Sequence, residues 1–128
     1  MPKAKILIVD DEEEIVRLLT LRLRAEGYEV FAANDGLMAT KMAIQKLPDL
    51  VIMDIGMPCG NGHTVAERLK NNLQTMCMPI IFLTARTSEE DQQKAAEVNA
   101  AGYLTKPFKA QELKDTIARA LQMHAVRA

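Results

Sequence analysis

No apolar segment in the sequence is long enough to cross a bilayer, and no block of lysines or arginines stands out. The 16 basic and 17 acidic residues leave a net charge of −1, so no nucleic-acid surface is expected from this chain itself. Lys3 to Val9 resembles the start of a secretory signal only faintly. The apolar run stops at Asp10, Asp11, Glu12, Glu13 and Glu14, which excludes one. The two cysteines, Cys59 and Cys77, have no metal-ligand spacing and fall in separate predicted loops, so unpaired thiols and a cytoplasmic location are expected. There is no linker, low-complexity tract or second-domain signal, and the expectation is one domain over residues 1–128.

What is present is organised around Leu50 to Pro58. Leu50, Val51, Ile52 and Met53 form a continuous apolar run, the pattern of a strand buried on both faces of a parallel sheet. The run ends on Asp54, and Gly56, Met57, Pro58, Gly60, Asn61 and Gly62 then mark a loop. Asp54 is thereby placed at the carboxyl end of a central strand, where open α/β sheets hold their ligand sites. An acid there requires partners.

Taken in order, the chain alternates strands and helices. Ile6 to Val9 is a buried strand running into Asp10 and Asp11; an acid-opened helix follows, with Ile15, Leu19 and Leu23 on one face and Leu18 beside them, ending at Glu26-Gly27. Tyr28 to Ala32 is a second strand. Asn34-Asp35-Gly36 caps a helix with Ala39, Ala43 and Leu47 at four-residue spacing, stopped by Pro48. After the glycine loop, Val65, Leu69 and Leu73 mark a third helix, and Pro79 to Leu83 a strand ending at Thr84. Thr87-Ser88-Glu89-Glu90-Asp91 is a capping signature for a helix over 91–99, the one with the poorest apolar face. Gly102 to Thr105 is a short fifth strand followed by Lys106-Pro107, and a last helix carries Leu113, Ile117 and Leu121. Five βα units in strict alternation predict a doubly wound α/β fold, a parallel sheet with helices on both faces and right-handed crossovers.

Asp10, Asp11, Asp54, Thr84 and Lys106 each fall at a predicted strand end. If strands one, three, four and five are neighbours, these groups converge on one edge of the sheet. Three carboxylates brought together repel, and a hard divalent cation offsets that repulsion. Oxygen-only donors, with no His or Cys at any strand end, suit Mg²⁺ better than zinc. A cation, an ammonium and a hydroxyl around one carboxylate form a site for a tetrahedral dianion made on that carboxylate, which is what aspartyl-phosphate chemistry needs. Taken alone, the acidic run reads as helix-initiating, Thr84 as a strand-end cap and Tyr103 as an edge aromatic. With Asp54 and Lys106 in place, only Glu12 to Glu14 keep that plain assignment. His63 and His124 read as solvent-facing, and the eight methionines as core filling.

The sequence resembles a stand-alone response-regulator receiver domain of two-component signalling, of the chemotaxis-regulator type. The resemblance rests on Val9-Asp10-Asp11, Asp54 with Met57-Pro58 and Gly62, Thr84-Ala85, and Tyr103 with Lys106-Pro107, in that order and over nearly the whole chain. It implies the flavodoxin-like strand order 2-1-3-4-5. It implies that Asp54 accepts a phosphoryl group from a sensor histidine kinase or phosphotransfer protein. Asp11, Asp54 and the carbonyl of Gly56 would bind Mg²⁺ directly, and Asp10 through water. Lys106 would pair with the phosphoryl group across a cis Lys106-Pro107 bond, Thr84 would bond a phosphoryl oxygen, and Tyr103 would rotate inward. The protein would then be a phosphoacceptor switch rather than an enzyme, catalysing only its own phosphoryl transfer and slow autodephosphorylation. Its effector would be met on the face formed by the helix over 91–99, the fifth strand and the last helix, and a phosphorylation-linked homodimer is within the class.

Two positions depart from the family pattern: Gly56, two residues after the acceptor, and Arg86, two after Thr84. Gly56 leaves the in-line water approach open, whereas Arg86 is expected to lean across it and lengthen the phosphorylated lifetime. Other functions fit less well. A flavodoxin needs a Ser/Thr/Gly loop where this chain has its acidic run. An aspartate-nucleophile phosphohydrolase wants a second Asp where Gly56 stands. A phosphorylation-independent scaffold would have no need of the full set of groups.

Overall fold

A computed structural model describes residues 4–55, 62–84 and 100–127. Five strands, β1 (Lys5–Val9), β2 (Glu29–Ala33), β3 (Leu50–Asp54), β4 (Ile80–Thr84) and β5 (Gly102–Thr105), form one parallel sheet in the order 2-1-3-4-5. The described helices are α1 (Glu13–Ala25), α2 (Gly36–Lys46), α3 (Gly62–Lys70) and α4 (Ala110–Arg127). The helix expected over 91–99, the positions Gly56 and Arg86, and Cys59 lie outside the described residues, as do the side chains of His63 and His124. Cys77 is a free, exposed thiol. No helix among the described residues is long and apolar enough to cross a membrane.

The period-two alternation of the strands sorts the core into two layers. Leu7, Val9, Val51, Met53, Ile80 and Phe82 pack against Ala39 and Ala43 of α2 and Val65, Ala66 and Leu69 of α3. Ile6, Ile8, Leu50, Ile52, Ile81, Leu83 and Leu104 meet Leu19 and Leu23 of α1 and Leu113, Ile117 and Ala120 of α4. Strands β3 and β4 are buried at every position, as the unbroken apolar runs require.

Local chemistry sets the element ends. Acidic Glu13 and Glu14 open α1 and basic Arg22 and Arg24 close it, complementing the helix dipole. Gly27, at φ 95°, reverses the chain so that the Tyr28 N–H reaches the Leu23 carbonyl. Asp35 caps α2 by accepting from the Met38 N–H at 2.8 Å.

Three apolar assignments differ from the four-residue pattern. Leu73 is 89 % exposed and lies beyond α3, which ends at Lys70. The Thr75 hydroxyl donates to the Leu69 carbonyl at 2.6 Å and the Asn72 side chain accepts from the Gln74 N–H, so side chains take over the terminal backbone groups and turn the chain away. Leu47 is not a helix-face residue either. It is the C-cap of α2, half exposed, with a left-handed φ of 47° that ends the helix before Pro48. Leu18 is 40 % exposed, outside the stripe that Leu19 and Leu23 bury.

β5 approaches α4 closely at Gly102. A Cβ there would lie 2.6 Å from Thr116 Cγ2, and Thr116 is held in place by its hydroxyl donating to the Glu112 carbonyl at 2.7 Å. Gly102→Ala should therefore cost about 1–3 kcal/mol in urea unfolding, the usual range for overpacking. Thr116→Ser, which deletes the clashing methyl, should recover part of that loss in the double mutant.

Candidate functional site

The strand order brings the ends of β1, β3, β4 and β5 side by side, and the sequence places a chemically active group at each. Asp10 follows β1 and is fully buried. Asp54 is the last residue of β3, and Thr84, also buried, is the last of β4. Lys106 follows β5, where its N–H donates to the Thr84 carbonyl at 2.6 Å; the Lys106–Pro107 peptide bond is cis. Tyr103 pairs with Phe82 across β4 and β5 and packs, half buried, on the α2/α3 side of the core.

Lys106 is the hub. Its Nζ lies 2.9 Å from Asp10 Oδ2, 3.2 Å from Glu12 Oε1 and 3.6 Å from Asp54 Oδ2. The other oxygen of Asp10 accepts from the Glu12 N–H at 2.9 Å. Burial pushes the Asp10 carboxyl above its ordinary range against the pull of its two hydrogen bonds, and the nearby Asp54 charge adds to the rise. For Lys106, burial works against the charged form, but the Asp10 hydrogen bond, the Asp10 and Asp54 charges and the Glu12 hydrogen bond outweigh it and raise its pKa.

One oxygen from each of Asp10, Glu12 and Asp54 falls within 4.8 Å of the others. These all-oxygen donors fit a hard divalent cation, with no His or Cys among them. Glu12 is the member that sequence reasoning assigned to helix initiation. It is the N-cap of α1 but makes no side-chain cap, and its carboxylate turns to Lys106 instead. The usable signal was its spacing of two from Asp10 on chain leaving a strand, which puts both side chains on one side. Asp11 lies outside this group of three. It is exposed and lines a shallow cavity of about 400 Å³ between the starts of α1 and α2, with Asp10, Arg17, Asn34 and Met38.

Residues 6–118 match the family model of the response regulator receiver domain. The chain belongs to that family. This receiver domain is 39 % identical over 124 residues to the alkaline phosphatase synthesis transcriptional regulatory protein PhoP of Bacillus subtilis, covering 97 % of this chain and 51 % of PhoP. It is 43 % identical over 105 residues to the response regulator PleD of Caulobacter vibrioides, covering 82 % of this chain and 23 % of PleD. It thus spans about half the length of PhoP and under a quarter of PleD. Among solved structures, the chemotaxis protein CheY4 of Vibrio cholerae superposes with a TM-score of 0.89 at 35 % identity, over 93 % of this chain and 99 % of that one. The receiver domain of the sensor histidine kinase PA1611 of Pseudomonas aeruginosa, solved with magnesium coordinated in its active-site cleft, gives 0.87 at 28 % identity, over 94 % and 99 %. Receiver domains are the phosphoacceptor switches of two-component systems and work with histidine kinases or phosphotransfer proteins.

Truncating Lys106 would leave the carboxylates without their ammonium. Lys106→Ala should lose about 1–3 kcal/mol in denaturant unfolding without divalent metal, the cost of orphaning a buried charged acceptor. Millimolar Mg²⁺ should narrow that deficit relative to wild type, because a cation can replace the missing charge.

Proposed function

We propose that this receiver domain accepts a phosphoryl group on Asp54 from a phosphohistidine of a sensor kinase or phosphotransfer protein, in a Mg²⁺-dependent reaction. The observation that carries the reading is the convergence of Lys106, after β5, on Asp10, after β1, and Asp54, at the end of β3, with Thr84 at the end of the intervening β4. The bound cation would supply charge neutralisation and a fixed oxygen geometry around the incoming phosphoryl group. An Asp54 oxygen attacks phosphorus as the phosphohistidine nitrogen leaves. Lys106 pairs with the phosphoryl oxygens, and the Thr84 hydroxyl donates to one of them. Slow hydrolysis of the acyl phosphate would return the carboxylate.

For the cation we assign Asp11, Asp54 and the Gly56 carbonyl as direct ligands and Asp10 as a ligand through water. Support comes from the two oxygens of Asp10, both committed to hydrogen bonds from Glu12 N–H and Lys106. Asp11 is exposed and takes no part in that bridge. In a Mg²⁺ titration, Asp11→Ala should weaken binding more than Asp10→Ala, and equal losses would refute the division.

The new charge of about −1.5 to −2 on Asp54 then draws Thr84 and Lys106 toward it. Tyr103 follows into the space released by Thr84, altering the face of β5, α4 and the helix over 91–99 that an effector would bind. Incubation with acetyl phosphate and Mg²⁺ should add one phosphoryl group by mass spectrometry. Chelating the metal or substituting Asp54→Asn should abolish the gain. A phosphorylated Asp54→Asn protein would place the acceptor elsewhere.

A further inference from the structure

Glu12 has no part in the reaction just described, yet its carboxylate is one of the two within hydrogen-bond reach of the Lys106 ammonium. The three separations are unequal: 2.9 Å to Asp10, 3.2 Å to Glu12 and 3.6 Å to Asp54. Asp10 and Glu12 hold the ammonium by hydrogen bonds, while Asp54 feels it only as a charge. We propose that Glu12 is a resting-state latch: it holds Lys106 back from Asp54 and so opposes the phosphorylated state. The inference rests on the phosphoacceptor reading above.

Two effects act in the same direction. The ammonium has three N–H donors, of which Asp10 and Glu12 take two, so closing the 3.6 Å gap to Asp54 draws the nitrogen away from one of those two carboxylates. The Asp10 side chain is fully buried and would lose its charge compensation inside the protein, whereas the Glu12 side chain is 59 % exposed and regains water when released. Glu12 is therefore the contact that breaks. Its oxygen also lies within 4.8 Å of an Asp54 oxygen, so its negative charge repels a dianion formed there. A neutral side chain at position 12 removes both the competition and the repulsion. Glu12 is thus a positioning residue that acts through Lys106.

The test compares wild type, Glu12→Gln and, as a control, Glu14→Gln, an exposed acid in the first turn of α1. Each protein is titrated with beryllofluoride, a tetrahedral phosphoryl mimic, at saturating Mg²⁺. Mg²⁺ affinity is measured separately, and the Lys106 Nζ signal is followed by nitrogen NMR. Glu12→Gln should bind the mimic about three- to tenfold more tightly, the range set by losing one partly exposed ion pair and one repulsion of similar size. On adding the mimic, its Lys106 signal should move less than in wild type, because the ammonium is already released from position 12, whereas a merely structural role for Glu12 would leave that ligand-induced change the same. Glu14→Gln should match wild type in both readouts. A wild type that binds mimic while Glu12→Gln binds it no better overturns the latch alone. A Glu12→Gln protein that loses Mg²⁺ affinity also overturns it, by assigning Glu12 to the cation. A wild type that binds no mimic overturns the phosphoacceptor reading and the latch with it.

Discussion

A carboxylate with no solvent exposure needs a compensating charge, and for Asp10 that charge sits 96 residues further along the chain, on Lys106. Much of the architecture serves this pair. The ammonium reaches Asp10 because β3 and β4 lie between β1 and β5, so that their carboxyl ends line up along one edge. β2, which carries none of these groups, lies at the far side of β1 and leaves that edge uninterrupted.

The two-layer core is what makes such an edge rigid enough to hold charges at fixed distances. Each strand contributes alternate residues to the α2/α3 side and the α1/α4 side, so that β3 and β4 are clamped from both faces. The site residues lie where that clamp ends, at the last residue of a strand or the one after it. There the side chains can respond to a new charge while the apolar layers stay put. The domain is thus divided between a packed apolar interior and an electrostatic rim.

Much of the fold was legible because its strongest signals are local. Unbroken apolar runs at 50–53 and 80–83 identified buried parallel strands, and Asp35 and Gly27 marked helix ends by their own chemistry. Periodicity overreached where side-chain hydrogen bonds decided the outcome. Leu73 continued a four-residue repeat but lost its helix to the Thr75 and Asn72 contacts, and Leu47 became a strained cap in front of proline. At the site, the strand-end positions of Asp10, Asp54, Thr84 and Lys106 were readable from the ends of apolar runs. Glu12 was not, because an acid at a helix start already has a sufficient local explanation and its contact with Lys106 is purely tertiary. The helix over 91–99 and the flank residues Gly56 and Arg86 stay at the level of sequence expectation.

The separation between Asp10 and Lys106 has a consequence for biosynthesis. Ribosomes deliver β1 and β3 long before β5, so a nascent chain carries Asp10, Glu12 and Asp54 while their ammonium is still unmade. The acids cannot settle into the folded edge until the final βα unit docks and closes that long loop. The ion-paired edge is thus the last part of the sheet to become complete, although two of its three carboxylates belong to the first strand's exit.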